Sequence, residues 1–202
     1  MNILFINSCV RGKEISRTYK IAGVFIDELK RIDNSVSVTE KNLSALMPSY
    51  MNEEKCAARE ALIREKSFAD PMFDLAREFA EADRIVIAAP LWELSFPAIL
   101  KAYIENVSVA GISFCYKDNG SIGLCRAEKM MFITTRGSDF SIPPMSSCEF
   151  GAGYLRALCA MYGIKSFECI AANGLDLEGA DERNIIASVT ARVAGRAAEF
   201  LK

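Results

Sequence analysis

Apolar and polar positions along this chain switch between two periods, and each switch marks an expected element. Residues 2–7 (NILFIN) are a short apolar run ending in small polar residues, the pattern of a buried strand. From Ser16 the spacing lengthens: Tyr19, Ile21, Ala22, Phe25, Ile26 and Leu29 fall near one face of a helix. A weak second strand is expected over 36–40, a helix over 68–82, and a fully buried strand over 84–89 (RIVIAA). A helix over 97–110 takes Pro97 in its first turn, where proline is tolerated. A buried strand over 130–135, a helix over 148–162 closed by Gly163, a strand over 167–172 and a helix over 181–201 complete the series.

Strands apolar on both faces and separated by helices imply a five-stranded parallel sheet covered on both sides, a doubly wound α/β domain spanning 1–202. Two segments depart from the alternation. Residues 41–66 form a long connection with a helical charge pattern, expected as a surface excursion. Residues 112–126 alternate around Asp118-Asn119-Gly120, the turn signal of a β-hairpin.

Ligands of such sheets sit beyond the carboxyl ends of the strands, at the point where the strand order reverses. That rule selects the connections 8–18, 90–97 and 135–147. In the first, Ser8 and Cys9 leave a strand, and Ser16 stands where it caps the next helix. Free amides there, with Arg17 and Thr18 as further donors and Arg11 nearby, suit an anion; simple helix capping is the competing reading. Neither GxGxxG nor GxxxxGK[ST] occurs, so one phosphate fits better than a pyrophosphate or a nucleoside triphosphate. The second connection holds the chain's one tryptophan between Pro90 and Pro97. Leu91, Trp92, Glu93 and Leu94 there read as a stiff apolar platform with directed amides, suited to a planar heteroaromatic ring. Packing of Trp92 under a neighbouring subunit or loop is the other reading. The third offers Thr135, Arg136, Gly137 and Ser138, small residues that permit close backbone approach.

Composition narrows the chemistry further. A net charge of −2 carries no basic footprint for nucleic acid or anionic lipid. No apolar run reaches the roughly 20 residues of a membrane span, and the N-terminus lacks signal-peptide character, so a cytoplasmic protein is expected. Seven scattered cysteines form no CxxC pair, and the chain has no histidine. A metal site is therefore not expected, and every Ser-His or Cys-His catalytic pairing is excluded.

At these loops the chain resembles the FMN-dependent NAD(P)H:quinone oxidoreductase and azoreductase family, of flavodoxin-like fold. The resemblance is carried by Ser8 with Ser16-Arg17-Thr18, by AAPLWELSFP at 88–97, and by LKAYIENVSVAGISFCYKDNGSIGL at 100–124. Thr134 to Ser138 and the run from Tyr154 to Ile164 extend it over nearly the whole chain. It implies FMN as cofactor, held by Ser8, Cys9, Ser16–Thr18, Leu91–Leu94 and Thr135–Ser138, with the Glu93 backbone facing flavin N5. It also implies NAD(P)H as co-substrate, a ping-pong exchange with quinones, azo compounds or nitroaromatics, and a homodimer with the flavin near the subunit boundary. Glu93 replaces the family's asparagine, Trp92 its usual tyrosine, and Phe140 stands where relatives can carry histidine. Tyr116 and Phe140 are the candidate acceptor contacts, and no side chain is expected as an essential acid or base. A flavodoxin-type electron carrier is the alternative; the hairpin and the weak net charge count against it.

Overall fold

The computed structural model describes residues 1–118 and 120–202. In chain order it contains β1 (Asn2–Asn7), α1 (Arg17–Ile32), β2 (Ser37–Asn42), the single turn α2 (Leu43–Leu46), α3 (Glu53–Arg64), α4 (Asp74–Glu81) and β3 (Arg84–Ala88). Then follow α5 (Ala98–Val107), β4 (Phe114–Lys117), β5 (Gly120–Gly123), β6 (Lys129–Thr135), α6 (Gly151–Tyr162), β7 (Ser166–Ala172) and α7 (Glu182–Leu201).

Five strands form one parallel sheet in the order β2-β1-β3-β6-β7. Side chains alternate between its faces. Ile85 and Ile87 of β3 join Leu4, Ile6, Met130 and Phe132 under α4, α5 and α6. Val86 and Ala88 join Ile3, Phe5, Met131 and Ile133 under α1 and α7. Each large side chain so buried contributes roughly 1.5–3 kcal/mol. That two-sided burial is why these strands read as continuous apolar runs. Phe25 of α1 meets Phe200 of α7 edge to face at 5.3 Å, closing the second layer.

The chain leaves β1 to form β2 on one side and returns to form β3 on the other. The connections after β1 and β3 therefore diverge, opening a crevice at the strand ends. Asn7 pairs with Ala88, and Ala88 with Ile133, so β1 and β3 end level and β6 runs two residues further, to Thr135.

Several boundaries differ from the expectation for local reasons. The helix expected over 68–82 begins at Asp74, because Pro71–Phe73 forms a 3-10 turn first. The Asp70 carboxylate accepts from Met72 N at 2.8 Å and fixes that turn. The helix expected over 97–110 stops at Val107, where Ser108 Oγ donates to Ile104 O at 2.7 Å. The helix expected from Cys148 starts at Gly151, after a second 3-10 turn.

The excursion at 41–66 runs over the surface as expected. No residue of α3 is buried. It is tied down by the Arg59 guanidinium, which donates to Glu105 O at 2.8 Å and to Ser108 O. The hairpin is narrower than 112–126, with β4 and β5 antiparallel; Asn119, in its expected turn, lies outside the described residues. It docks on the end of α6, where Cys125 N donates to Tyr162 O at 3.2 Å. Gly163 ends α6 in the left-handed conformation at φ 81°, the usual place for glycine after a helix. No helix among the described residues is long and apolar enough to cross a membrane.

Candidate active site

The loop after β1 is built around its own backbone. Ser8 N donates to Ala88 O at 2.9 Å, and Gly12, at φ 82°, lets the chain turn back toward α1. Ser16 caps that helix, its hydroxyl accepting from Tyr19 N at 3.2 Å. Among the described residues, the Arg17 and Thr18 amides at the helix start have no acceptor. Such amides, at the positive end of the helix dipole, favour an anion.

The loop after β3 is a tight hairpin of its own. Trp92 and Ser95 exchange backbone bonds at 3.2 and 2.8 Å, and the central pair, Glu93 and Leu94, have φ of 43° and 66°. Two positive φ values at the centre define a type I′ turn, normally served by Asn-Gly or Gly-Gly. Glu93 and Leu94 hold it at a cost of about 1–3 kcal/mol each, so the surroundings must impose it. Leu91 N donates to Thr135 O and Phe150 N to Leu94 O, both at 2.9 Å. Trp92 stands at the turn's entry with 40% of its surface exposed. It is not a core residue.

These loops enclose a cleft of about 170 Å³. From the expected set, Cys9, Ser16, Arg17 and Thr18 line it on one side and Leu91 and Trp92 on another. Thr135 and Gly137 come from the third loop. The Thr18 and Thr135 hydroxyls meet at 2.6 Å, joining α1 to the end of β6. Ser8 is fully buried and its Oγ has no partner; it backs the loop rather than lining the cleft. Burial pushes the Cys9 thiol up to about 11 despite a hydrogen bond with Ser16, so it stays protonated near neutrality.

Other expected residues lie outside this cleft. Glu93, Leu94 and Ser138 do not line it. Ser138 instead accepts from Gly174 N at 3.0 Å through its carbonyl. Arg136 is turned inward, its buried guanidinium 3.4 Å from the Glu149 carboxylate. Phe140 is buried, and Tyr116, 78% exposed, stands on the hairpin against Phe114. Arg17 lines the cleft, yet its guanidinium is engaged by Asp176 at 2.9 Å and Glu182 at 3.4 Å.

Asp176 itself was not among the expected residues. It lies in the connection after β7 and lines the cleft. A β-carbon on Gly137 would stand 2.6 Å from Asp176 Oδ2, so this approach needs glycine there. The signal for Asp176 was the strand-end rule itself, applied to the fifth parallel strand as well as to the first three connections. Val10, Arg11, Ile15 and Pro90 complete the lining.

The fold and cleft together define a doubly wound α/β protein with free helix-start amides beside an apolar indole wall at the switch point. The chain matches a family model described as flavodoxin-like fold over residues 1–196. It is 36% identical over 199 residues to FMN-dependent NADH:quinone oxidoreductase 2 of Clostridium acetobutylicum, with 98% of each chain covered. Identity to the FMN-dependent NADH:quinone oxidoreductase of Clostridium beijerinckii is 35% over 184 residues, 91% of each chain. Among solved structures, an azoreductase from Bacillus anthracis shares the fold with a TM-score of 0.89 at 23% identity, covering 98% of this chain and 99% of the other. An FMN-dependent NADH-azoreductase from the same species, solved in complex with FMN, gives 0.89 at 21% identity and full coverage of both chains. The chain belongs to the flavodoxin-like family, among the FMN-dependent NADH:quinone oxidoreductases.

Proposed function

We propose that the protein is an FMN-dependent oxidoreductase that carries reducing equivalents from NADH to quinones, azo compounds or nitroaromatics, the two substrates using one cleft in turn. The single observation that carries this reading is the pairing of unsatisfied α1 amides with the Trp92 wall across one cleft. The donor set fits FMN: Arg17 N, Thr18 N and the Ser16 cap for its phosphate, Leu91 and Trp92 for its ring.

When bound, FMN would supply the two-electron chemistry, taking hydride from NADH and returning the electrons to the acceptor. The chain's own part is to bind, orient and exclude water. The amides at α1 hold the anion end. The Glu93 and Leu94 amides of the Trp92–Ser95 turn have no acceptor among the described residues; standing beyond the cleft lining, they would meet only the edge of a ring that reaches past Trp92. The Glu93 carboxylate, exposed on that turn, would oppose negative charge gained by a bound ring and so lower its potential. The cleft-lining set contains no histidine and its thiol stays protonated, so no residue there is assigned as a general acid or base.

We further take 1–202 as one domain and the enzyme as a homodimer, with the hairpin, carrying the exposed Tyr116 and Ile122, near the subunit boundary. The seven free cysteines support a reducing, cytoplasmic setting. Purified protein tests the reading directly. A yellow spectrum bleached by NADH and steady NADH consumption with a benzoquinone are expected; bleaching without steady turnover would instead mark a flavodoxin-type carrier.

A further inference from the structure

Arg136 and Glu149 lie outside the cleft, yet both are almost wholly buried, at 7% and 9% exposure, with 3.4 Å between guanidinium and carboxylate. A buried pair at that distance gains little over neutral groups of the same shape. The remaining partners of Arg136 are Asn173 Oδ1 at 3.4 Å and Cys169 Sγ at 3.8 Å, and its Nε has none. Stability alone is a poor reason for this arrangement.

What surrounds the pair supplies another reason. Both Glu149 oxygens accept from Ala152 N, at 3.0 and 3.2 Å, fixing the start of α6. The next residue, Phe150, donates its amide to Leu94 O. Gly151 fits between the carboxylate and the Trp92–Ser95 turn: a β-carbon there would lie 3.0 Å from Glu149 Oε1 and 3.5 Å from Ser95 C. From the opposite side, Leu91 N donates to Thr135 O, the residue just before Arg136. The strained turn is thus gripped at both ends by segments that the buried pair joins.

We propose that Arg136 and Glu149 are positioning residues that impose the left-handed turn at Glu93–Leu94 and so set the indole of Trp92 at the cleft wall. The charge of Arg136 acts through Glu149, and not on a bound phosphate. The inference deepens the flavin reading and rests on it for the affinity measurements alone.

Trp92 is the chain's single tryptophan, so its emission and its quenching by acrylamide report the turn in flavin-free protein. Glu149→Gln keeps an oxygen for Ala152 N but removes the charge. The double variant Arg136→Met/Glu149→Gln removes both charges, leaves no unpaired buried cation, and decides the matter if the single variant does not fold. Expected are easier quenching of Trp92 with near-wild-type circular dichroism, and affinities for FMN and riboflavin that fall together, each by about tenfold. Folded variants with unchanged Trp92 quenching would overturn the proposal. So would loss of FMN binding with riboflavin spared, which would make Arg136 a phosphate ligand. Wild-type protein that binds neither flavin would defeat the flavin reading, and Trp92 quenching would still decide the role of the pair.

Discussion

The Arg17 guanidinium donates to the Asp176 carboxylate at 2.9 Å, beside the free amides of α1, and Glu182 lies 3.4 Å from its other nitrogen. The cation at the first position of α1 is therefore balanced by one acid from the connection after β7 and one from the start of α7. Under the proposed function, backbone amides are the principal donors for the FMN phosphate.

From this relationship, Asp176→Asn is expected to leave Arg17 held by Glu182 alone and to tighten FMN by about fivefold relative to riboflavin, a modest gain because the pair is solvent-exposed. The variant's FMN affinity should also fall more steeply with added salt. Titration of both flavins at two ionic strengths checks this. An equal change for the two ligands would show that Asp176 contacts something other than Arg17's anion.

Ser16→Ala removes the cap on Tyr19 N and should cost the helix about 1 kcal/mol. It should weaken FMN more than riboflavin, since only FMN carries the phosphate that α1 would face. Fluorescence titration of the two flavins gives the ratio directly; identical losses would reject the phosphate assignment.

Trp92→Ala deletes the apolar wall while leaving the turn's backbone exchange with Ser95 available. Affinity for FMN and for riboflavin should fall in parallel, by roughly tenfold if the ring loses a stacking partner worth about 1–2 kcal/mol. Turnover with a benzoquinone should drop as well. Unchanged flavin affinity would remove Trp92 from the site.

Gly123 and the end of α6 touch so closely that a β-carbon on Gly123 would stand 1.9 Å from Gly163 N and from Tyr162 C. Both are backbone atoms and cannot swing aside. Gly123→Ala should therefore lift the hairpin from α6 while the five-stranded sheet persists. Limited proteolysis should show faster cleavage near 117–124, and the melting temperature should fall only moderately. Resistance equal to wild type would mean the hairpin can dock elsewhere.

Alkaline pH should unfold the protein more readily than neutral pH. Burial pushes the Cys9 and Cys169 thiols from 9.0 up to about 11, and Cys125 and Cys159 up to about 12. Burial raises Tyr103 and Tyr162 as well. Each group keeps its proton longer in the folded state, so the unfolded chain binds fewer protons between the two values. Their stabilising effect is whole below about pH 9 and is lost as pH climbs through 11 to 12. With no histidine in the chain, little change is expected between about pH 6 and 8.5. Denaturant midpoints across this range provide the check, and Cys159→Ala should soften the alkaline fall.

The architecture was largely legible because the signals were local. Ile85, Val86, Ile87 and Ala88 are apolar on both faces of the sheet, and Ser16 with its spaced apolar partners marks α1 within one turn of its start. The AAPLWELSFP loop identified the cleft wall for the same reason. Long-range pairing was not legible. Nothing in the local pattern around Arg17 or Arg136 points to acids more than ten residues away, so both arginines were read as ligand contacts. The turn at Glu93–Leu94 was also hidden, because neither residue has the turn chemistry its backbone adopts. Tertiary bonds with Thr135 and Phe150 hold the chain on either side of it.

The outlying helix α3 buries none of its residues fully and joins the body through the small group of Leu62, Ile63, Phe68 and Phe73, with Arg59 as its polar tether. A segment so lightly fastened opens on its own, well before the strands of the sheet. Hydrogen–deuterium labelling should therefore reach amides 53–64 early, at denaturant levels that leave β3 and β6 dark. Length changes, fused tags and crosslinks are best tolerated along that rim.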